Sequence, residues 1–140
     1  MSRSHKLTQA DYERLAAIRL ALRRFVAVTE ANARSVGLAP QQHQALLSIK
    51  GGYPGQPAIT IGDLARHLLI KHHSAVELTE RLVRGGLVAR EPSPVDRRRI
   101  FLSVTPKGEA LLESLSEAGL AELGDSSGLL AAVQAAVQRD

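Results

Sequence analysis

Cysteine is absent from this 140-residue chain, which excludes disulfides, thiol nucleophiles, cysteine redox sensing and every cysteine-ligated metal site. Tryptophan is absent as well, and two Phe and two Tyr complete the aromatic inventory. A core must therefore be filled by Leu, Val, Ile and Ala. No apolar run approaches the ~18 residues that a membrane-spanning helix needs. The opening residues MSRSHKLTQADYERL hold basic side chains but no apolar segment ahead of a small-residue cleavage site. No secretory signal is expected, and the cytoplasm is the expected compartment. Catalytic patterns are missing too: the serines lack a G-x-S-x-G elbow, the glycines lack a phosphate-loop pattern, and the carboxylates stand singly among basic residues. No catalytic residue, no cofactor and no enzymatic activity are expected.

What is present is an uneven distribution of charge. The chain carries 18 Lys+Arg against 14 Asp+Glu, a net charge of +4. Residues 1–34 hold seven basic and three acidic side chains, residues 35–57 hold Lys50 alone, and residues 58–105 hold eight basic and five acidic. Residues 106–140 reverse the sign, with two basic and six acidic. A basic body ahead of an acidic segment points to an anionic partner for the first and a basic surface for the second.

Helix signals divide the chain. Thr8 followed by Asp11 is a cap with an acid in the first turn, and behind it Leu15, Ile18, Leu22 and Phe25 recur at spacings of three and four. That narrow stripe predicts a helix seam, with Arg14, Arg19, Arg23, Arg24 and Arg34 on the other faces, ending near Val36-Gly37. Some 28 residues is long for a globular helix and suits an oligomer contact. Pro40 opens a second helix through Ala45, Leu46 and Ile49, broken by the Gly- and Pro-rich residues 51–57. Thr60 and Asp63 start a short helix carrying Leu64, Ala65 and Leu68. A turn at Leu69-Ile70-Lys71-His72 leads to a further helix from His73 or Ser74 through Ala75, Leu78, Leu82 and Val83, which Gly85-Gly86 ends. Two short β signals, Leu87–Arg90 and Ile100–Val104, flank a charged, Pro-rich turn. Thr105-Pro106 launches a helix through Leu111, Leu112 and Leu115. A break at Gly124-Asp125-Ser126-Ser127-Gly128 precedes a last apolar helix from Leu129 to Val137.

Helix, turn, helix and hairpin in this order is the winged helix-turn-helix plan. The expected fold class is mainly α with a small β-hairpin wing: an N-terminal dimerisation helix over 1–37, a winged helix-turn-helix over 38–105, and C-terminal dimerisation helices over 106–140, all in one compact body. The segment from Ile59 to Leu112 resembles the MarR family of bacterial transcription regulators. Its recognition helix stands here as Ser74-Ala-Val-Glu-Leu-Thr-Glu-Arg-Leu82, and its hairpin as Gly86-Leu-Val-Ala-Arg90 followed by Asp96-Arg97-Arg98. Its Thr-Pro-Lys-Gly motif opens Thr105-Pro-Lys-Gly-Glu-Ala-Leu111. The resemblance covers the whole chain in length and helix order, and matches residue by residue over 59–112. It implies a homodimeric, sequence-specific DNA-binding regulator, usually a repressor on a palindromic operator, released when a small ligand binds between the dimer helices and the reading head. It also implies that Asp96 pairs with an arginine to hold the wing, and that Arg98 or a neighbour enters the minor groove. Family members often carry a basic or small polar residue where Glu77 stands, so base preference does not transfer.

The residues agree with this reading. The helix to Arg84 would lie in a major groove with Lys71, His72, His73, Ser74, Val76, Glu77 and Arg81 towards DNA, Ser74 bonding a base edge or phosphate and Glu77 accepting from a cytosine amino group. The wing would place Arg97, Arg98 and Arg99 where phosphates concentrate negative potential, Arg97 and Arg99 on one strand face and Arg98 on the other. Glu77 could equally pair with Arg81 one turn on. Leu15, Ile18, Leu22 and Phe25, with Leu112, Leu115 and Leu129, are candidates for a two-fold dimer interface. The expected partners are thus double-stranded DNA, a second copy and a small-molecule effector, with no membrane. Two alternatives remain: a winged helix whose hairpin docks protein, and a zinc-responsive regulator using His67, His72 and His73 with Glu77 and Glu80. No metal site is assigned, since a groove-facing helix that binds metal could hardly also read DNA.

Overall fold

The computed structural model describes residues 6–125 and 127–138. Helix α1 spans Gln9–Ser35 and α2 spans Pro40–Gly51; a two-residue strand β1, Ile59–Thr60, runs directly into α3, Ile61–Leu68. Helix α4, His72–Arg84, leads into the strands β2, Val88–Pro92, and β3, Ile100–Val104. Helices α5, Pro106–Asp125, and α6, Ser127–Val137, close the chain. Among the described residues no helix is long and apolar enough to cross a membrane. The break expected over 124–128 lies partly outside the described residues, as do the first five residues of the opening segment.

Local chemistry accounts for the helix starts. The Thr8 hydroxyl accepts from the Asp11 amide at 3.3 Å while Asp11 Oδ2 accepts from the Thr8 amide at 2.8 Å. The same reciprocal box recurs at Thr60 and Asp63, at 3.2 and 3.0 Å, so two otherwise orphaned donors are satisfied at each start. Thr105 caps α5 by accepting from the Gly108 amide at 3.2 Å. Helix α4 differs. It begins at His72, earlier than the expected His73 or Ser74, with Lys71 as an N-cap that makes no side-chain bond. The turn before it is made by Leu69, which is 92% exposed and left-handed at φ 57°.

The sheet has three antiparallel strands in the order β1-β3-β2. Val88 faces Val104 and Pro92 faces Ile100 across the hairpin, while Ile59 and Thr60 pair with Leu102 and Phe101. A hairpin alone was expected. The third strand is too short for any alternation pattern, and it exists because Ile59 can be buried between the helices while its backbone bonds to β3. Leu46, Ile59, Leu64, Thr79, Leu82 and Leu102 are the largest fully buried side chains. Leu112 and Leu115 join the same core at 5% and 4% exposure. Expected at the dimer interface, both are instead packed within the chain's own core, which leaves them little surface for a second copy. Helix α1 packs against both α5 and α6, yet Leu15, Leu22, Val26, Leu120, Leu123 and Leu130 remain exposed.

Candidate nucleic-acid interface

Helix α4 buries Ala75, Leu78, Thr79 and Leu82; the Thr79 hydroxyl is satisfied by the Ala75 carbonyl at 2.7 Å. Lys71, His72, His73, Glu77 and Arg81 are exposed, whereas Ser74 and Val76 are half-buried on the flanks of the helix. Glu77 forms no ion pair with Arg81 among the described residues. Helix α3 is tied to the preceding loop through Asp63, a buried carboxylate contacted by Arg66, Gln56 and Thr60. Burial works to raise the Asp63 pKa, but hydrogen bonds with Thr60, Arg66 and Gln56 outweigh it and hold the carboxyl below its usual value.

The wing tip is organised by Ser93, a residue with no sequence signal beyond the general turn composition. Ser93 is only 6% exposed. Its hydroxyl accepts from the amides of Val95 and Asp96 at 3.2 and 3.3 Å, and its own amide donates to the Arg99 carbonyl at 2.8 Å. The Arg99 amide then closes on the Asp96 carbonyl at 3.0 Å. Asp96 Oδ1 accepts from the Arg98 amide at 3.0 Å and lies 3.7 Å from Arg98 Nε, so the arginine that Asp96 meets is Arg98 itself. This geometry corrects the expected strand alternation of the three arginines. Residues 97 and 98 form a turn, and β3 begins only at Ile100. All three arginines are exposed. Arg99 lies over the Phe101 ring at 5.8 Å, and Arg97 has no partner among the described residues.

The histidines among the described residues do not gather into one site. His67 Nδ1 lies 2.6 Å from Ser48 Oγ and its ring meets Tyr53 edge-on at 5.4 Å. Among the described residues no three His, Asp or Glu side chains are placed to hold a metal ion.

A second feature had no sequence signal at all. Between α1, α2 and α5 lies an apolar cavity of about 430 Å³, lined by Phe25, Val26, Leu47, Leu115, Leu120 and Leu123, with Thr29, His43, Gln44 and Ser116 as its polar groups. Phe25 is thus a wall of this cavity as well as a candidate interface residue; Ile18 and Leu129 are half-buried. Burial lowers the His43 pKa from its usual 6.5, and among the described residues no carboxylate lines the cavity to offset it. A histidine with a depressed folded pKa contributes stability above the unfolded value that is lost as pH falls through the folded one. Urea midpoints measured from pH 8 down to pH 5 should therefore fall below about pH 6.5. His43→Gln should flatten that fall, and an unchanged slope would remove His43 as its cause.

Comparison with known proteins places this geometry. Residues 36–99 match the family model described as MarR family. A protein of Thauera aromatica, described as a candidate transcriptional regulatory protein for the hcr operon, is 32% identical over 74 residues, which cover 53% of this chain and 45% of that protein. The chain thus matches less than half the length of this relative. The crystal structure of the MarR family transcription regulator SP03579 superposes with a TM-score of 0.72 at 24% identity, covering 91% of this chain and 84% of that one. A mutant MarR from E. coli, complexed with operator DNA, superposes with a TM-score of 0.67 at 20% identity, covering 86% of this chain and 88% of that one.

Proposed function

We propose that the chain, whose residues 36–99 match the MarR family model, is a MarR-like, cytoplasmic, sequence-specific DNA-binding transcription regulator and not an enzyme. It acts as a homodimer, represses from a palindromic operator, and is released by a small ligand. The observation that carries this reading is a wing tip held by backbone and Ser93 hydrogen bonds that displays Arg97 and Arg98 without burying either. A preordered arginine loop beside an exposed helix suits a duplex, where the loop reaches the minor groove as the helix enters the major one. Exposed leucines and valines along α1, α5 and α6 support a second copy as the cover for that band, since an apolar patch of this kind marks an interface. Two-fold symmetry then sets half-sites about one helical turn, ~10 bp, apart. The α1/α2/α5 cavity supports a ligand site, because it lies where dimerisation helix and winged helix meet. A ligand there need favour an unproductive spacing of the two reading heads by only a few kcal/mol to empty the operator.

The test is duplex binding across a salt series. Each neutralised phosphate contributes a slope of about −0.9 to log K against log salt, so a dimer making six to ten contacts should lose roughly 10³–10⁵ in affinity between 50 and 200 mM. Duplex binding that ignores salt, or none at low salt, would count against the reading and in favour of a hairpin that docks protein.

A further inference from the structure

Helix α4 carries an anomaly for a DNA-reading element. At 100° per residue, the direction opposite the buried set Ala75, Leu78, Thr79 and Leu82 is occupied by His73, Glu77, Glu80 and Arg84, all exposed. Two carboxylates therefore stand on the midline of the face furthest from the core. Each has an arginine four residues on, Arg81 and Arg84, in the order that favours pairing on a helix. Neither pair forms among the described residues. The carboxylates are thus uncommitted, and the arginines are free to turn towards phosphates.

The floor of a major groove lies between two strands of phosphates, so a carboxylate entering it is repelled by every duplex alike unless a base edge donates a hydrogen bond. Only two edges do. Cytosine offers its N4 amino group with no acceptor of its own beside it, whereas the adenine N6 amino group sits next to the acceptor N7; guanine and thymine present acceptors. An acceptor-only side chain therefore favours cytosine. Three residues advance about 4.5 Å along a helix, close to the ~3.4 Å between base pairs, so the two carboxylates address neighbouring pairs.

Resting on the DNA-regulator reading above, we propose that Glu77 and Glu80 are specificity-determining residues. They confine α4 to half-sites presenting cytosine amino groups at adjacent base pairs, and they weaken its hold on all other DNA. Specificity then comes as much from rejection as from attraction.

The experiment is selection of duplexes from a random pool by the full chain, by the double variant Glu77→Gln/Glu80→Gln, and by Glu117→Gln as a control for removing an exposed carboxylate outside the reading head. Glutamine keeps the length and helix preference of glutamate but can also donate, so it tolerates acceptor edges. The parent chain should enrich adjacent cytosines in each half-site. For the double variant, the affinity ratio between the selected duplex and one with those pairs changed to T·A should fall at least about tenfold, while binding to an unrelated duplex tightens. Glu117→Gln should leave the ratio unchanged. A parent selection without cytosines, or a double variant with the parent's ratio, overturns the inference alone. Retention of no duplex by any of the three proteins overturns the regulator reading together with it.

Discussion

Arg98→Ala is expected to weaken operator binding by about 5- to 150-fold, the 1–3 kcal/mol that a positioned arginine contributes at a DNA contact, without moving the unfolding midpoint. The two halves of this expectation come from different observations. The Arg98 side chain is 95% exposed and touches only Asp96, at 3.7 Å, so its loss removes nothing from the core; an exposed pair of this kind contributes little to stability. The loop itself is held through backbone atoms and the Ser93 hydroxyl, none of which belongs to the Arg98 side chain. Alanine at 98 therefore leaves the wing shaped, with Arg97 and Arg99 still exposed and one positive charge fewer at its tip. If the guanidinium meets a phosphate, the salt slope should fall by about one and affinity should drop alike for all sequences; if it reads the minor groove, discrimination against G·C pairs should relax. Mobility shifts with the parent operator and an unrelated duplex at two salt concentrations separate these. Equal affinity for parent and variant at both would remove the wing from the interface.

Gly108→Ala should act on stability with a comparable size. Gly108 is buried in the first turn of α5, and a Cβ there would lie 2.3 Å from the Leu87 carbonyl oxygen and 2.8 Å from Val104 Cγ1. The first of these cannot give way cheaply. The Leu87 carbonyl accepts from the Thr105 amide at 3.0 Å, and the Leu87 amide donates to Leu82 at 2.9 Å, so moving it disturbs the end of α4, the start of β2 and the entry to α5 together. Overpacking costs typically 1–3 kcal/mol and more where backbone must shift, which puts Gly108→Ala at about 3 kcal/mol of lost stability. Gly119→Ala in the same helix meets nothing within 4 Å and should gain up to ~1 kcal/mol from helix propensity. Urea unfolding of the two variants checks both signs. A loss below ~1 kcal/mol for Gly108→Ala would show that the junction yields more easily than its bonds suggest.

Local chemistry was legible in the sequence; relations between distant segments were less so. Thr8 with Asp11, Thr60 with Asp63, and Thr105-Pro106 each announce a helix start within four residues, because a cap is a contact between near neighbours. The hairpin was legible for the same reason: turn residues sit between two apolar runs. Strand β1 was not, since Ile59 and Thr60 acquire strand character only by bonding to β3, some 40 residues away. Leu112 and Leu115 read as interface because an apolar stripe shows that a face is covered and says nothing of what covers it. Ser93 differs from any other turn serine only in its burial and its bonds to Val95 and Asp96. The α1/α2/α5 cavity leaves no pattern of its own, being a space that three helices fail to fill.

The bonds that shape the wing run through Ser93 at its neck and through main-chain atoms of residues 95, 96 and 99, with the Asp96 carboxylate as the one further anchor. Pro94, Val95 and Arg97 lend no side-chain bond to the loop, and Val95 is 95% exposed. The tip therefore behaves as an exchangeable cassette. Its outward side chains can be exchanged, and with them whatever the tip contacts, while the pairing register from Val88–Val104 to Pro92–Ile100 beneath them stays as it is.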